Sequence, residues 1–215
     1  MVYIPSGDFL MGSEDVDADL DERPIHSVHV KEFYLGKYEV TQKLWKAVMV
    51  YDPAYHRGLD YPVECVSWDD CQKFIKKLNQ ITGKNYRLPT EAEWEYVASM
   101  SYKKMEKEKF TSYVWCLKSV EKPSRNNITS HKVGSLKSDC WGIYDLIGNV
   151  NEWCADSYNS LAYQNNCQQE SDIKVFKGGC FANEEKFLRP ANRNHINRYT
   201  RHYTLGLRLA MDVTP

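Results

Sequence analysis

Apolar and polar residues alternate through "VYIPSGDFLMG" and again through "HSVHVKEFYLGKYEV", so the chain before Thr41 predicts short strands broken by turns at Gly7 and Gly12. The period then changes. "QKLWKAVM" places Leu44, Trp45 and Val48 on one helical face behind an N-capping Thr41. "SWDDCQKFIKKLNQITG" predicts a second helix, with a Ser67/Asp70 capping box, a stripe of Cys71, Phe74, Ile75 and Leu78, and Gly83 at its end. "RLPTEAEWEYVA" predicts a third, short helix: Thr90 and Glu93 form another capping box and turn Trp94 and Val97 inward. The pattern fails after that, and the polar, Lys-rich stretch 99–138 reads as a long irregular loop. Gly148 and Asn149 mark a tight turn in "GIYDLIGNVNEWCADSY", and "KVFKGGCF" and "LGLRLAMDV" alternate like strands. Trp45, Trp68, Trp94 and Trp153 are expected to fill gaps between short elements.

A chain of 215 residues with 42% hydrophobic content fits one domain, 1–215. A net charge of −1 argues against a general polyanion binder, so nucleic acid is not an expected partner. Charge is uneven: Glu14 to Glu22 is acidic, whereas Lys186 to Arg208 has basic residues and no acidic one. The seven cysteines form no CxxC pair, and most are expected reduced or buried. No apolar run is long enough to span a bilayer, so membrane insertion is not expected.

The stretch "RPANRNHINRYTRHYTLGLR", residues 189–208, stands apart. From Phe187 to Arg208 there is no Lys, Glu, Gln, Trp or Met, although all five occur elsewhere in the chain. Those five are the types unreachable when Asn codons ending in a pyrimidine are mutated only at their adenines.

"GDFLMGS", "YLGKYEVTQKLW", "PVECVSWDDCQKF", "YRLPTEAEWEYVA", "DLIGNVNEWCADSY" and "KGGCF…LGLRLA" follow one another as in the formylglycine-generating enzyme, or sulfatase-modifying factor, family, which the chain resembles from about Val2 to Val213. The resemblance implies an α+β, C-type-lectin-like fold with little regular secondary structure and a C-terminal segment lining an exposed groove. Enzymes of the family bind copper through two cysteines after a "GGS" turn; the matching positions here are Asn183 and Leu188, neither a thiolate donor. Cys180 replaces the Ser and reads as a small buried residue. No catalysis and no required cofactor are therefore expected. The family's calcium site corresponds to Asp145, Gly148, Val150 and Glu152, where calcium would be structural and a capped turn is the alternative.

Within that fold the chain resembles the variable proteins of diversity-generating retroelements, of the treponemal kind. That resemblance implies a non-catalytic ligand-binding protein whose variable segment, about 180–208, contacts protein or cell-surface ligands through Cys180, Phe181, Asn183, Asn192, Asn194, His195, Ile196, Asn197, Tyr199, Thr200, His202 and Tyr203. Arg193, Arg198 and Arg201 would add fork-shaped donors, while Gly178, Gly179, Arg189, Ala191, Gly206, Leu207 and Arg208 belong to the scaffold. Such a receptor is expected to be exported and anchored at the cell surface through a segment outside this sequence. An enzyme of the same superfamily with non-copper chemistry is the alternative.

Overall fold

A computed structural model describes residues 1–120, 124, 127–165 and 170–213. Strands β1 (Val2–Ile4), β2 (Gly7–Met11), β3 (His26–Val30) and β4 (Phe33–Leu35) precede helices α1 (Gln42–Met49) and α2 (Trp68–Thr82). Strand β5 (Tyr86–Arg87) and helix α3 (Glu91–Lys107) follow, then β6 (Asn151–Ser157), β7 (Ile173–Lys177), β8 (Asn194–Asn197), β9 (Leu205–Gly206) and β10 (Ala210–Asp212). They form a sheet ordered β1-β4-β10-β5, a β2-β3 hairpin, and a sheet ordered β8-β7-β6-β9. The last strand, β10, is antiparallel to both β4 and β5, which places the end of the chain inside the first sheet.

Local chemistry sets the helix starts. Thr41 accepts a hydrogen bond from the Leu44 amide, and both capping boxes form: Ser67 with Asp70, and Thr90 with Glu93. Gly83 closes α2 in the left-handed conformation, φ 67°.

Two apolar cores result. One gathers Ile4, Phe33, Leu35, Trp94, Val97, Cys154 and Leu188; the other gathers Trp45, Phe74, Trp153, Leu205 and Leu207. Trp45 stacks on Phe74 with ring centroids 4.8 Å apart, joining α1 to α2. Gly206 is dictated by closeness, since a Cβ there would lie 2.4 Å from the Val63 carbonyl oxygen.

Four expectations need correction. Helix α3 is not short: it continues through Lys107, because Ser101 bonds Asp139 at 2.9 Å and Met105 is buried. The stretch 99–138 therefore begins as helix and also holds 3-10 turns at Phe110–Ser112 and Leu117–Ser119; residues 121–123, 125 and 126 lie outside the described residues. Leu44 is exposed, while Trp45 and Val48 face inward. Trp68 is half-buried at the surface, its ring under the Lys174 ammonium at 4.6 Å and the Arg198 guanidinium at 4.7 Å.

Candidate ligand-contact surface of the C-terminal segment

The segment 189–208 has five arginines, and each turns back onto a carboxylate elsewhere in the chain. Arg189 donates to both oxygens of Glu22, at 2.6 and 2.8 Å, and Arg193 to both oxygens of Glu91, at 2.7 and 2.9 Å. Arg198 holds one oxygen of Asp69 through Nε and Nη2, and Arg201 takes both oxygens of Asp70. Arg208 bonds Glu152 and also donates to the Gly36 and Tyr144 carbonyls. Paired forks of this kind fix orientation as well as charge. Burial pushes the Glu91 carboxyl up, but Lys177 and Arg193 outweigh it and hold the group below its ordinary range.

Backbone bonds complete the attachment. Strand β8 pairs antiparallel with β7, the Arg198 carbonyl accepts from Trp68 at 3.0 Å, and the His202 carbonyl accepts from Cys65 at 3.1 Å. Some of the side chains between Arg193 and Thr204 are left facing outward. His195, Tyr199, His202 and Tyr203 are exposed; Asn194, Ile196, Asn197 and Thr200 are half-buried. His195 lies flat on Tyr158 with centroids 3.6 Å apart, and the Asn197 side chain accepts from the Tyr199 amide. The three arginines expected to serve as ligand contacts, Arg193, Arg198 and Arg201, are instead staples.

Phe181 and Asn192 do not face solvent as their place among the ligand contacts implied, and Cys180 is the small buried residue its sequence setting suggested, not a solvent-facing contact. Each is more than nine-tenths buried. The Cys180 amide donates to the Asn183 side chain, the Phe181 amide to the Asn149 carbonyl, and Asn192 sits against Glu22. Burial raises the Cys180 thiol above its ordinary value, which disfavours a thiolate. Asn183 is half-buried and caps the turn. Leu188 belongs to the first core and lies beneath Gly179, where an added Cβ would come within 2.3 Å of it.

Residues from 50 to 65 also join this surface. Tyr55 and Tyr203 lie 5.9 Å apart, and both flank His56, which meets Phe181 edge-on at 5.2 Å. Behind His56, its amide donates to the buried Glu64 at 2.7 Å. The crowding of Tyr51, Tyr55 and Tyr61 around Pro53 in "YDPAYHRGLDY" is the signal in sequence that could have marked this loop.

The positions matched to calcium enclose a different arrangement. Glu152 is fully buried, and its oxygens accept from Arg208 and from the Trp94 indole. Asp145 accepts from the Gly134 amide through one oxygen, and the other has no hydrogen-bond partner among the described residues. Burial pushes Asp145 up to about 6; burial and the neighbouring Asp145 and Glu152 push Glu39 well above the carboxylate range. With a guanidinium in contact with Glu152, this donor set does not fit a divalent cation. Among the described residues no three His, Cys, Asp or Glu side chains gather as metal ligands elsewhere.

Residues 1–213 match the model of the sulfatase-modifying factor enzyme 1-like domain. The chain belongs to that family. Relatives include the chaperone protein LppX of Paenibacillus barcinonensis, 32% identical over 203 residues that cover 71% of this chain and 70% of LppX. The serine/threonine-protein kinase pkn1 of Chlamydia pneumoniae is 27% identical across 99% of this chain, which spans only 38% of the kinase. The inactive C-alpha-formylglycine-generating enzyme 2 of Bos taurus is 23% identical over 83% of this chain and 75% of its own length. Among solved structures, Treponema denticola variable protein 1 superposes with a TM-score of 0.83 at 24% identity, covering 99% of this chain and 95% of that one. PvdO from Pseudomonas aeruginosa gives the same score and identity over 98% and 93%. These likenesses show the fold: the α+β architecture of the family, with short elements and low helix content.

The family thus includes proteins named as inactive, which is compatible with a role other than catalysis. Among the described residues no helix is long and apolar enough to cross a membrane.

Proposed function

We propose that this chain is a non-catalytic ligand-binding protein whose surface from Asn194 to Tyr203 recognises protein or cell-surface ligands and is diversified by a retroelement. One observation carries the reading: every arginine of the segment is held by a framework carboxylate while His195, Tyr199, His202 and Tyr203 between them face solvent. A recognition surface that changes without unfolding its protein needs this division between fixed staples and outward side chains. Tyr and His give large amphipathic contacts; Asn and Thr give adaptable hydrogen bonds. In this reading Asn183 and Leu188 replace the copper-binding cysteines of the catalytic relatives, and no cofactor is required. The protein is exported and held at the cell surface by a segment beyond this chain, does not insert into the membrane itself, and has no nucleic-acid partner.

The test is the DNA beside the coding sequence. A near-identical template copy and a reverse-transcriptase gene are expected, with mismatches between the copies confined to adenines of the template. A locus lacking both removes the diversification.

A second reading, an enzyme with non-copper chemistry, draws on His56 and Glu64. The imidazole Nδ1 lies 3.5 Å from a Glu64 oxygen, and burial lowers the His56 pKa, as suits a base. Copper titration and turnover of a cysteine-containing peptide are both expected to give nothing; measurable formylglycine formation would overturn the non-catalytic assignment.

A further inference from the structure

The loop from Val50 to Tyr61 is exposed at its tip and held from behind by buried side chains. Gln42 donates to the His56 carbonyl at 2.6 Å and accepts from the Gly58 amide at 3.0 Å. Glu64 accepts from the His56 amide, and Asp52 accepts from the Ala54 amide at 3.1 Å. The α1 backbone adds two bonds, from Gln42 to the Tyr61 carbonyl and from Lys43 to the Leu59 carbonyl. Gln42 and Glu64 are both buried, so these ties are shielded from water. Yet Tyr55 keeps 72% of its surface exposed, and Tyr51 and Leu59 are exposed with it. Large apolar groups fixed in place and left open to solvent are the pattern of a preorganised contact site, since little ordering remains to be done on binding.

The loop adjoins the proposed variable surface through the Tyr55–Tyr203 and His56–Tyr203 contacts. Charges around this face are cancelled locally: Arg57 with Asp52 at 3.3 Å, Arg201 with Asp70 at 2.6 Å, and Lys132 with Asp60 at 3.1 Å. On the loop itself the buried Gln42 amide is already engaged in holding the backbone. What the loop offers a ligand is chiefly aromatic surface without net charge.

We infer that Tyr51 and Tyr55, backed by the largely covered His56 ring, form a constant half of the binding surface, paired with the changeable half at Tyr199–Tyr203, and that the occupant is an uncharged, apolar-rich segment of a partner protein. The inference rests on the ligand-binding reading above. The constant half supplies affinity that does not vary, and the changeable half selects among partners.

The probe is a random peptide library displayed on phage, panned on the purified chain, with enriched peptides synthesised and their Kd measured. Enriched sequences are expected to be poor in Lys, Arg, Asp and Glu. Tyr55→Ser and Tyr203→Ser are each expected to weaken binding by about tenfold or more, as loss of a central aromatic contact does, while Tyr3→Ser on β1 leaves it unchanged. Both tyrosines are exposed, and unchanged thermal unfolding of the variants excludes misfolding as the cause. Loss with Tyr203→Ser alone overturns the constant half and leaves the proposed function standing. Loss with Tyr55→Ser alone keeps the loop and removes the role of the variable turn. Loss with neither, or enrichment of charged peptides, overturns the inference, as does a glycan that binds in a Tyr55-dependent way.

Discussion

Arg193 and Arg201 belong to the same short segment and make the same kind of bond, yet they stand in opposite environments. The Arg193 side chain is 1% exposed against Glu91, whereas that of Arg201 is 56% exposed against Asp70. Removing a buried partner strands a charge away from water, so Arg193→Ala is expected to lose about 3–5 kcal/mol of unfolding free energy. Arg201→Ala loses at most about 1 kcal/mol. Urea denaturation compares the two, and equal losses would contradict the assigned environments. Neither pairing was legible in sequence, because Arg193 and Glu91 are brought together only by the sheet and by α3. The capping boxes were legible, since both partners of each lie within one turn.

Asp145 gives a pH signature at the same scale. Burial raises its pKa to about 6, so the folded protein keeps a proton that the unfolded chain releases near an ordinary aspartate value. Its contribution to stability is therefore full in acid and is lost as pH rises through about 6. Asp145→Asn, tolerated at its left-handed φ of 55°, carries no such charge. The variant is expected to match the native chain below about pH 4, to exceed it by about half the full difference near about pH 5, and to exceed it near about pH 8 by about 2–3 kcal/mol. A difference independent of pH would show that Asp145 titrates normally.

Among elements, α2 ties to the C-terminal surface through both side chains and backbone. Its N-cap is Ser67, its first turn carries Asp69 and Asp70, and its first amide holds the Arg198 carbonyl. Ser67→Ala is expected to cost about 1 kcal/mol by thermal or chemical unfolding, and hydrogen exchange should rise at the Trp68 amide. Exchange unchanged there would detach the helix start from the segment. The apolar stripe of α2 announced the helix, whereas "NHIN" of β8 has no alternation to announce a strand. It is one because the edge of β7 supplies the ladder. The end of α3 was hidden for a similar reason: "SMSYKKM" shows no apolar period, and the contacts that hold it, Ser101 with Asp139 and Met105 with the core, are remote in sequence.

At the scale of the molecule, two cores and three sheets carry the stability, and the outward turn carries little of it. Tyr199→Ser, His202→Ser and Tyr203→Ser should each change unfolding free energy by no more than about 0.5 kcal/mol, measured in urea. A larger loss at any of them would make that side chain part of the frame. The run of family motifs made the architecture legible from end to end. It left the surface half-read: of the residues named there as ligand contacts, His195, Tyr199, His202 and Tyr203 are exposed, whereas Cys180, Phe181 and Asn192 pack inside.

From Thr204 to Ala210 the chain is buried without a break, with Gly206 against the Val63 carbonyl and Arg208 gripping three separate stretches of backbone and side chain. Free replacement of residues must stop at that threshold. Any process that substituted residues beyond it would erase the platform on which the outward turn stands, so packing alone sets the last position at which change leaves the fold intact.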